Sequence, residues 1–264
     1  MKPVIYMRNS LAEQEELYAA KKYFEVVEQR THIKSNCLVI PRYSALPFYK
    51  ELEEDIKYLG SKLINSFNNH NYVADIKNWY CDLIDITPKT WFYLDEIEDK
   101  DGPFVLKGST NSRKHSWKTH MYAENKKQAA EVYYNLITDT LIGAQDIVIR
   151  KFIKLNKLQD GLNGMPLSEE YRFFVLNNKI IAKGFYWSNI WDDLKIKPDV
   201  NSVPNYFLFS VMEKVEGKIP FYVFDVAKTN DNKWILIELN DGCQSGLSMI
   251  DPENFYWSLN KGLE

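Results

Sequence analysis

The sequence predicts an α+β protein in which a small α/β unit precedes a part rich in antiparallel strands. Over the first ~65 residues, strand patterns alternate with helix patterns, which is typical of an α/β unit. From Tyr171 onward, apolar runs separated by turn residues indicate two β-hairpins with a helix packed among them. The acidic turn "EIEDKDGP" at 96–103 marks a boundary. We therefore expect one unit over residues 1–95 and a second over residues 96–264.

Two strands and two helices are predicted in the first unit. "PVIYM" at 3–7 and "NCLVI" at 36–40 read as the strands. A single helix is expected over 9–30, where Ser10 and Glu13 have the spacing of a capping box. The second helix is indicated by apolar residues at helical spacing: Leu52, Ile56, Leu59 and Leu63.

The second unit begins with a strand, a basic loop and a helix. "FVLKG" at 104–108 is the strand, and the loop at 109–118 is polar and basic. "AENKKQAAEVYYNLI" at 123–137 has helical periodicity, and "DIVIRKFIKL" at 146–155 reads as a further strand. The hairpin "YRFFVLNNKIIAKGFYW" then turns at its adjacent Asn residues, 177 and 178.

The composition is that of an ordinary globular protein and excludes several classes. The net charge is −3 and the pI about 5.9, which gives no global attraction to nucleic acid or anionic membranes. The three cysteines are widely spaced and form no CxxC pair, which argues against a structural zinc site or a disulfide framework. The sequence shows neither a signal peptide nor a run of ~20 apolar residues that could span a bilayer. We expect a cytoplasmic protein.

A second hairpin, "IPFYVFDVAKTNDNKWILIELND", carries carboxylates inside apolar strands. Asp225 lies in one strand, and Glu238 lies in the other with Asn240 two residues later, on the same side. Magnesium prefers hard oxygen ligands and completes its shell with waters and phosphates. The set Asp225, Glu238 and Asn240 therefore predicts a magnesium site. The alternative is that the carboxylates pair with Lys or Arg on neighbouring strands.

Cations near the same place favour a phosphate ligand. Lys107 ends an apolar strand just before a loop, where a lysine can reach a phosphate as a point charge. The loop carries Arg113, Lys114 and Lys118, and it could fold over a triphosphate. The alternative for these loop residues is a solvated basic surface.

Two further features belong to the predicted site. Arg172 and Lys183 are cations within the strands of the first hairpin, and we expect Lys183 to join Arg172 across it. The segment "IRKFI" at 149–153 joins the two halves, and such a hinge offers backbone groups and apolar surface to a purine ring.

These residues together resemble the ATP-grasp superfamily. In that family a strand lysine, a flexible loop, a hinge strand beside the adenine and a strand arginine precede an Asp and a Glu-x-Asn that hold magnesium. The resemblance covers residues 104–247, and residues 1–95 are similar to a pre-ATP-grasp unit in general pattern. The fragments "GPFVLKG", "SRKHSW", "THMYA" and "ELNDGCQSGL" resemble an uncharacterised ATP-grasp clade common in bacteria and their phages.

The resemblance implies an ATP-grasp fold, in which two α+β subdomains clamp ATP, and it implies ATP and Mg²⁺ as cofactors. It assigns the metal to Asp225, Glu238 and Asn240. It implies catalytic roles for Lys107 and Arg172, and we expect Lys183, as the cation beside Arg172 on the hairpin, to share that role. The nucleotide is then expected to contact the following residues: Lys107, Arg113, Lys118, Arg150, Lys151, Phe152, Ile153 and Arg172.

The implied activity is an ATP-dependent ligase that joins a carboxylate to an amine through an acylphosphate, with an amino acid, peptide or protein terminus as the acceptor. One alternative is an RNA ligase or nucleotidyltransferase in which Lys107 accepts AMP. Another is a non-enzymatic protein that has kept the fold, either a nucleotide-binding module or a protein-interaction domain. The phage-like fragments add a phage-infected bacterium as a setting. No membrane partner is expected.

Overall fold

The structure, a computed structural model, describes residues 1–8, 13–43, 45 and 47–264. The expected capping box involves Ser10, which lies outside the described residues. The helices are α1 Gln14–Tyr23, α2 Tyr49–Tyr58, α3 Phe67–Ala74, α4 Ile76–Trp79, α5 Trp117–His120, α6 Lys126–Ile137, α7 Asn205–Val215 and α8 Pro252–Leu263. The strands are β1 Lys2–Tyr6, β2 Glu25–Val27, β3 Cys37–Pro41, β4 Lys62–Leu63, β5 Thr90–Trp91, β6 Phe104–Gly108, β7 Tyr122–Ala123, β8 Ile147–Lys151, β9 Lys157–Asp160, β10 Pro166–Ser168, β11 Glu170–Leu176, β12 Lys179–Phe185, β13 Phe221–Lys228 and β14 Trp234–Asp241.

The first part is an α/β unit built on a parallel sheet, which we call the N-terminal sheet. Its strand order is β2-β1-β3-β4, and β1 pairs with both β2 and β3 in parallel. Parallel neighbours need crossover connections, and α1 and α2 supply two of them. The apolar face of α2 packs Leu52 and Ile56 against β1 and β3, so these residues are fully buried.

The single helix expected over 9–30 is wrong beyond Tyr23. Phe24 is already extended, with φ −133° and ψ 155°, and β2 follows as an edge strand beside β1. Val26 and Val27 are β-branched, which disfavours a helix and favours a strand. The apolar residues of this short strand happen to continue the helical spacing of α1, which is why the sequence predicted a longer helix. The second predicted helix likewise ends before Leu63, which lies in β4.

The second part holds two four-stranded antiparallel sheets and a two-stranded one, β10-β9. The central sheet has the order β5-β8-β6-β7, and α6 covers one of its faces through Ala129, Val132 and Leu136. The C-terminal sheet has the order β12-β11-β13-β14, and all three of its pairings are antiparallel. The prediction of an α/β part followed by antiparallel hairpins is therefore confirmed.

The C-terminal sheet is buried on both faces, which is why its strands read as nearly continuous apolar runs. One face packs on α7, with Phe173 stacked on Phe224 at 5.1 Å between ring centroids. The other face packs on α1 and α8, where Phe174 meets Phe255. The hydrophobic core on this face also contains residues of the N-terminal sheet, so it joins that sheet to the C-terminal sheet. Among the described residues, no helix combines the length and apolar character that crossing a bilayer requires.

Candidate active site

A cavity of about 390 Å³ lies between the central and C-terminal sheets, and we call it the inter-sheet cavity. One part of its lining is apolar: Val105, Trp117, Met121, Phe152, Ile153 and Leu155. Six of its lining residues are cationic: Lys107, Lys114, Arg150, Lys151, Lys154 and Lys157. Only Glu170 and Glu238 are acidic among the described lining residues. An excess of cations beside an apolar slot suits a ligand with a flat apolar ring and a polyanionic tail.

A β-bulge places the two predicted metal ligands side by side. Near the turn, Val226 pairs with Leu236, but Asp225 pairs with Glu238, so Ile237 is the extra residue. Without the bulge, Glu238 would lie opposite Phe224 and point to the other face of the sheet. With it, Asp225, Glu238 and Asn240 share one face, since Asn240 is opposite Val223.

The carbonyl of the bulged residue is used by the neighbouring sheet. Arg150 Nη1 donates to the Ile237 carbonyl oxygen at 2.6 Å, and Nη2 donates to Thr87 Oγ1 at 2.7 Å. Arg150 is buried, and burial lowers the pKa of its guanidinium to about 10, although Glu238 and Tyr80 act in the other direction. Arg150 thus ties the central sheet to β14 rather than reaching freely into the cavity.

Lys107 and Glu238 form an ion pair at the floor of the cavity. Strand alternation places Lys107 on the cavity face with Val105, opposite Val148 and Arg150. Burial raises the pKa of the Glu238 carboxyl, but the charges of Lys107 and Lys114 more than offset this, so its pKa falls to about 2. Glu238 is therefore an anion throughout the neutral range.

Arg172 and Asp225 form a second, deeply buried ion pair. Arg172 Nε and Nη2 donate to the two carboxylate oxygens of Asp225 at 2.9 and 2.8 Å, a bidentate arrangement. Arg172 Nη1 donates to the Gly246 carbonyl oxygen at 2.8 Å, and the guanidinium lies 4.8 Å from the centre of the Tyr186 ring. The alternative interpretation, in which these carboxylates pair with Lys or Arg on neighbouring strands, therefore describes the structure. The metal role of Asp225, Glu238 and Asn240 stays a prediction.

The donor set of Asp225, Glu238 and Asn240 fits magnesium when a phosphate completes it. Two carboxylates and an amide oxygen are hard ligands, and Mg²⁺ is commonly held by one or two carboxylates plus substrate phosphates. Within the part of the chain that the structure describes, no group of three or more His, Cys, Asp or Glu side chains could hold a metal unaided. A magnesium ion at this place would need phosphate oxygens or waters to complete its shell.

Lys114 belongs to the predicted basic loop but was not among the residues expected to contact the nucleotide. It lines the cavity, and its ammonium donates to Tyr186 Oη at 2.7 Å and lies 5.0 Å from the Trp187 ring centre. Burial lowers the pKa of the Lys114 ammonium, but its interactions with Tyr186, Glu238 and Glu170 raise the pKa by more. The net shift is upward, so Lys114 stays charged. Glu170 also lines the cavity and was not among the predicted site residues. Burial raises the pKa of its carboxyl.

Three predicted cations lie elsewhere. Arg113 makes a bidentate ion pair with Asp139 at 2.8 and 2.7 Å and does not line the cavity. Lys118 is exposed, with its side chain against Gly164. Lys183 lies opposite Phe173, on the other face from Arg172, and donates to Asn201 Oδ1 at 2.8 Å.

A second bulge explains the position of Lys183. The two-residue turn at Asn177 and Asn178, both with positive φ, would place Lys183 opposite Arg172 in a regular hairpin. Val175 pairs with Ile180, however, while Phe174 pairs with Ala182, so one extra residue shifts the register. The expectation that Lys183 joins Arg172 is therefore not met.

Residues 152 and 153, which follow β8 in the predicted hinge, line the apolar end of the cavity. Phe152 packs its ring edge-on to Tyr122 at 5.2 Å, and its amide donates to the Pro103 carbonyl oxygen at 2.9 Å. Ile153 also lines the cavity, whereas the Lys151 ammonium donates to the carbonyls of Asp101 and Gly102. The hinge therefore offers an apolar contact to a ring and one cation already bound to backbone.

Comparison with protein-family models identifies the family of this chain. Residues 95–259 match the model described as "ATP-grasp domain, R2K clade family 3". The chain is a member of the ATP-grasp superfamily. The predictions of that superfamily and of an α+β ATP-grasp fold are confirmed, and the prediction of an ATP-dependent ligase agrees with them. No curated protein matches the sequence.

Solved ATP-grasp structures share the whole fold at low sequence identity. The D-cycloserine synthetase DcsG superposes with a TM-score of 0.62 at 8% identity, covering 99% of this chain and 100% of its own. The ATP-grasp ligase PsnB, complexed with a minimal precursor, gives 0.60 at 9% identity with both chains covered fully. D-alanyl-alanine synthetase A from Vibrio cholerae gives 0.55 at 11%, covering 98% of this chain and 93% of its own. At these identities the similarity shows the fold alone.

Proposed function

We propose that this ATP-grasp protein is an ATP- and Mg²⁺-dependent ligase that joins a carboxylate to an amine. The observation that carries the proposal is the inter-sheet cavity, where six cations and the carboxylate Glu238 meet an apolar slot. The adenine would lie against Phe152 and Ile153, and the triphosphate would extend towards Lys107 and Lys114. Residues 96–264 would hold the nucleotide, and residues 1–95 would contribute to the acceptor site.

The chemistry asks the protein for charge and position rather than for a nucleophile. A substrate carboxylate oxygen attacks the γ-phosphorus, the bond to ADP breaks, and an acylphosphate forms. An amine then attacks its carbonyl carbon, phosphate leaves, and the amine loses a proton. Negative charge spreads over the transferred phosphoryl oxygens, so nearby cations lower the barrier. The magnesium would neutralise the same charge while bound to Asp225, Glu238 and Asn240.

In the structure, the cations and carboxylates of the site pair with one another. Lys107 pairs with Glu238, and Arg172 pairs with Asp225. In the proposed complex the metal would take the carboxylate oxygens and the phosphates would take the ammonium groups, so each charge would keep an opposite partner. Such an exchange avoids leaving a buried charge unpaired, which would be costly. The names of the similar structures, two synthetases and a ligase, support this reaction class.

An ATP-labelling experiment tests the proposal against nucleotidyl transfer. We expect the protein, incubated with Mg²⁺ and α-labelled ATP, to carry no label on a denaturing gel and to release ADP when carboxylate and amine substrates are supplied together. Lys107→Ala should weaken ATP binding and turnover, whereas Lys118→Ala, outside the cavity, should behave as wild type. Label retained by wild type and absent from Lys107→Ala would favour AMP transfer to Lys107. Absence of ATP binding would contradict both activities.

A further inference from the structure

A buried polar cluster lies at the end of β14, one residue beyond Asn240. We call it the Asp241 cluster, and its members are Asn65, His70 and Asp241. The three residues are 0%, 3% and 3% exposed, respectively. Strand alternation directs the Asp241 side chain to the opposite face of the C-terminal sheet from Asn240. Asp241 is therefore not among the predicted metal ligands, and it does not line the inter-sheet cavity.

Both oxygens of the Asp241 carboxylate are hydrogen-bonded. Oδ1 accepts from Asn65 Nδ2 at 2.7 Å and from the Cys243 amide at 2.7 Å. Oδ2 lies 2.9 Å from His70 Nδ1, and because a carboxylate accepts, Nδ1 is the donor. The backbone carbonyl oxygen of Asp241 accepts from Ser245 Oγ at 2.9 Å. The end of β14 is therefore fixed through the side chain of its last residue as well as through its backbone.

Asn65 and His70 belong to the first part of the chain, residues 1–95, and they hold two strands of the C-terminal sheet. Asn65 Oδ1 accepts from the Phe221 amide at 3.1 Å, and Asn65 Nδ2 donates to the Phe221 carbonyl oxygen at 2.7 Å as well as to Asp241. The His70 ring lies flat on the Tyr49 ring, with 3.9 Å between the ring centroids and 2° between the planes. These contacts tie the start of β13 and the end of β14 to the first part of the chain.

The stretch of β14 that carries two of the predicted metal ligands is held at both ends by side chains from outside the hairpin. At its start, Thr87 Oγ1 donates to the Leu236 carbonyl oxygen at 2.9 Å. At its end, Asn65 and His70 bind the Asp241 carboxylate. Residues 238 and 240 lie between these two attachments, so the cluster limits how far the second of them can move.

A buried cluster of this kind contributes geometry more than stability. Burying a carboxylate with its partner costs desolvation, and replacing such a pair by apolar residues is often neutral or stabilising. Magnesium, by contrast, demands near-ideal octahedral geometry with short metal–oxygen distances. Asn240 would offer a neutral amide oxygen, which attracts a divalent cation less than the carboxylates of Asp225 and Glu238 do. Its contribution therefore depends more on its position, and Asp241, the next residue, fixes that position.

We propose that the Asp241 cluster positions the metal site: by fixing the end of β14, it places the Asn240 amide oxygen where a nucleotide-bound magnesium would need it. The three members of the cluster are positioning residues, because they act through Asn240 and contact neither the metal nor the nucleotide. The inference rests on the proposed function, since it concerns the same magnesium. It gives residues 1–95 a role in metal binding in addition to the proposed contribution to the acceptor site.

Calorimetric titration of the full-length protein with adenylyl imidodiphosphate, a non-hydrolysable ATP analogue, tests the inference without requiring turnover. Each protein is titrated once in Mn²⁺, which takes the same hard oxygen ligands as Mg²⁺, and once in EDTA. The ratio of the two affinities, which we call the metal gain, isolates the contribution of the metal. A change that only loosens the fold lowers both affinities and leaves the metal gain as it was.

Two substitutions of His70 separate its hydrogen bond from its packing. His70→Phe keeps an aromatic ring on Tyr49 but removes the donor to Asp241, and we expect it to lower the metal gain about tenfold while the affinity in EDTA stays that of wild type. His70→Asn restores an N–H donor near the position of Nδ1 and should recover most of the metal gain. The matched control is Tyr72→Phe, which removes a hydrogen bond of the same helix, to Asp82 at 2.7 Å, and should keep the full metal gain.

A wild-type metal gain in folded His70→Phe, or equal losses of affinity in Mn²⁺ and in EDTA, would overturn the inference. A crystal structure of the wild-type complex with Mn²⁺ and the analogue decides the matter if His70→Phe does not fold. It should show Asn240 Oδ1 on the metal and the bond between His70 and Asp241 retained, and a metal that does not contact Asn240 would overturn the inference. Failure of the wild-type protein to bind the analogue at all would instead contradict the proposed ligase activity.

Discussion

Glu238→Gln is expected to lower Mg²⁺-dependent ATP turnover about 10³-fold while the protein stays folded, which corresponds to about 4 kcal/mol of activation free energy. The substitution keeps the size of the side chain and one acceptor oxygen for Lys107. It removes the negative charge that a hard divalent cation prefers. Steady-state ADP release at several Mg²⁺ concentrations measures the effect.

The matched control for this variant is Glu213→Gln, an exposed carboxylate on α7. It makes the same chemical change away from the inter-sheet cavity, so its turnover should equal that of wild type. Urea unfolding of both variants checks that the fold is intact. Wild-type turnover in Glu238→Gln would remove Glu238 from the metal site.

Asp225→Ala is expected to reduce the free energy of unfolding by about 3–5 kcal/mol, because it leaves the buried Arg172 guanidinium without its carboxylate. Asp225 is 1% exposed and Arg172 8% exposed, so water can replace the lost partner only in part. The double variant Arg172→Met/Asp225→Ala removes both charges and fills part of the space. It should therefore lose less stability than the sum of the single variants.

A double-mutant cycle by urea unfolding measures this coupling. Arg113 and Asp139 provide a matched pair with the same bidentate geometry nearer the surface, and their cycle should give a much smaller coupling because solvent screens it. Strict additivity for Arg172 and Asp225 would contradict the account of their buried pair. ATP binding by Asp225→Ala can be measured without urea, at a temperature where the variant is folded. Its loss there would add support for the metal role of Asp225.

The sequence predicted the fold class and most strands because local pattern determines them. Alternation placed Glu238 and Asn240 on one face, and the turn residues identified both hairpins. The length of α1 was wrong because β2 is a three-residue edge strand whose extended form depends on pairing with β1. A helical pattern read locally cannot contain that pairing.

The site was less predictable because two bulges set its registers. The bulge at Ile237 brings Glu238 opposite Asp225, and the bulge in the first hairpin turns Lys183 away from Arg172. Periodicity alone does not reveal either one. The partners of the basic loop could not be read from local periodicity either. Arg113 binds Asp139, 26 residues further along the chain. Lys114 binds Tyr186, which directly follows β12 of the C-terminal sheet.

A crystal structure with Mg²⁺ and a non-hydrolysable ATP analogue tests the central claim most directly. The account predicts the adenine against Phe152 and Ile153, the triphosphate beside Lys107 and Lys114, and a magnesium ion bound to phosphate oxygens and to Asp225, Glu238 and Asn240. Nucleotide bound outside the inter-sheet cavity, or a magnesium ion that contacts neither Asp225 nor Glu238, would contradict it.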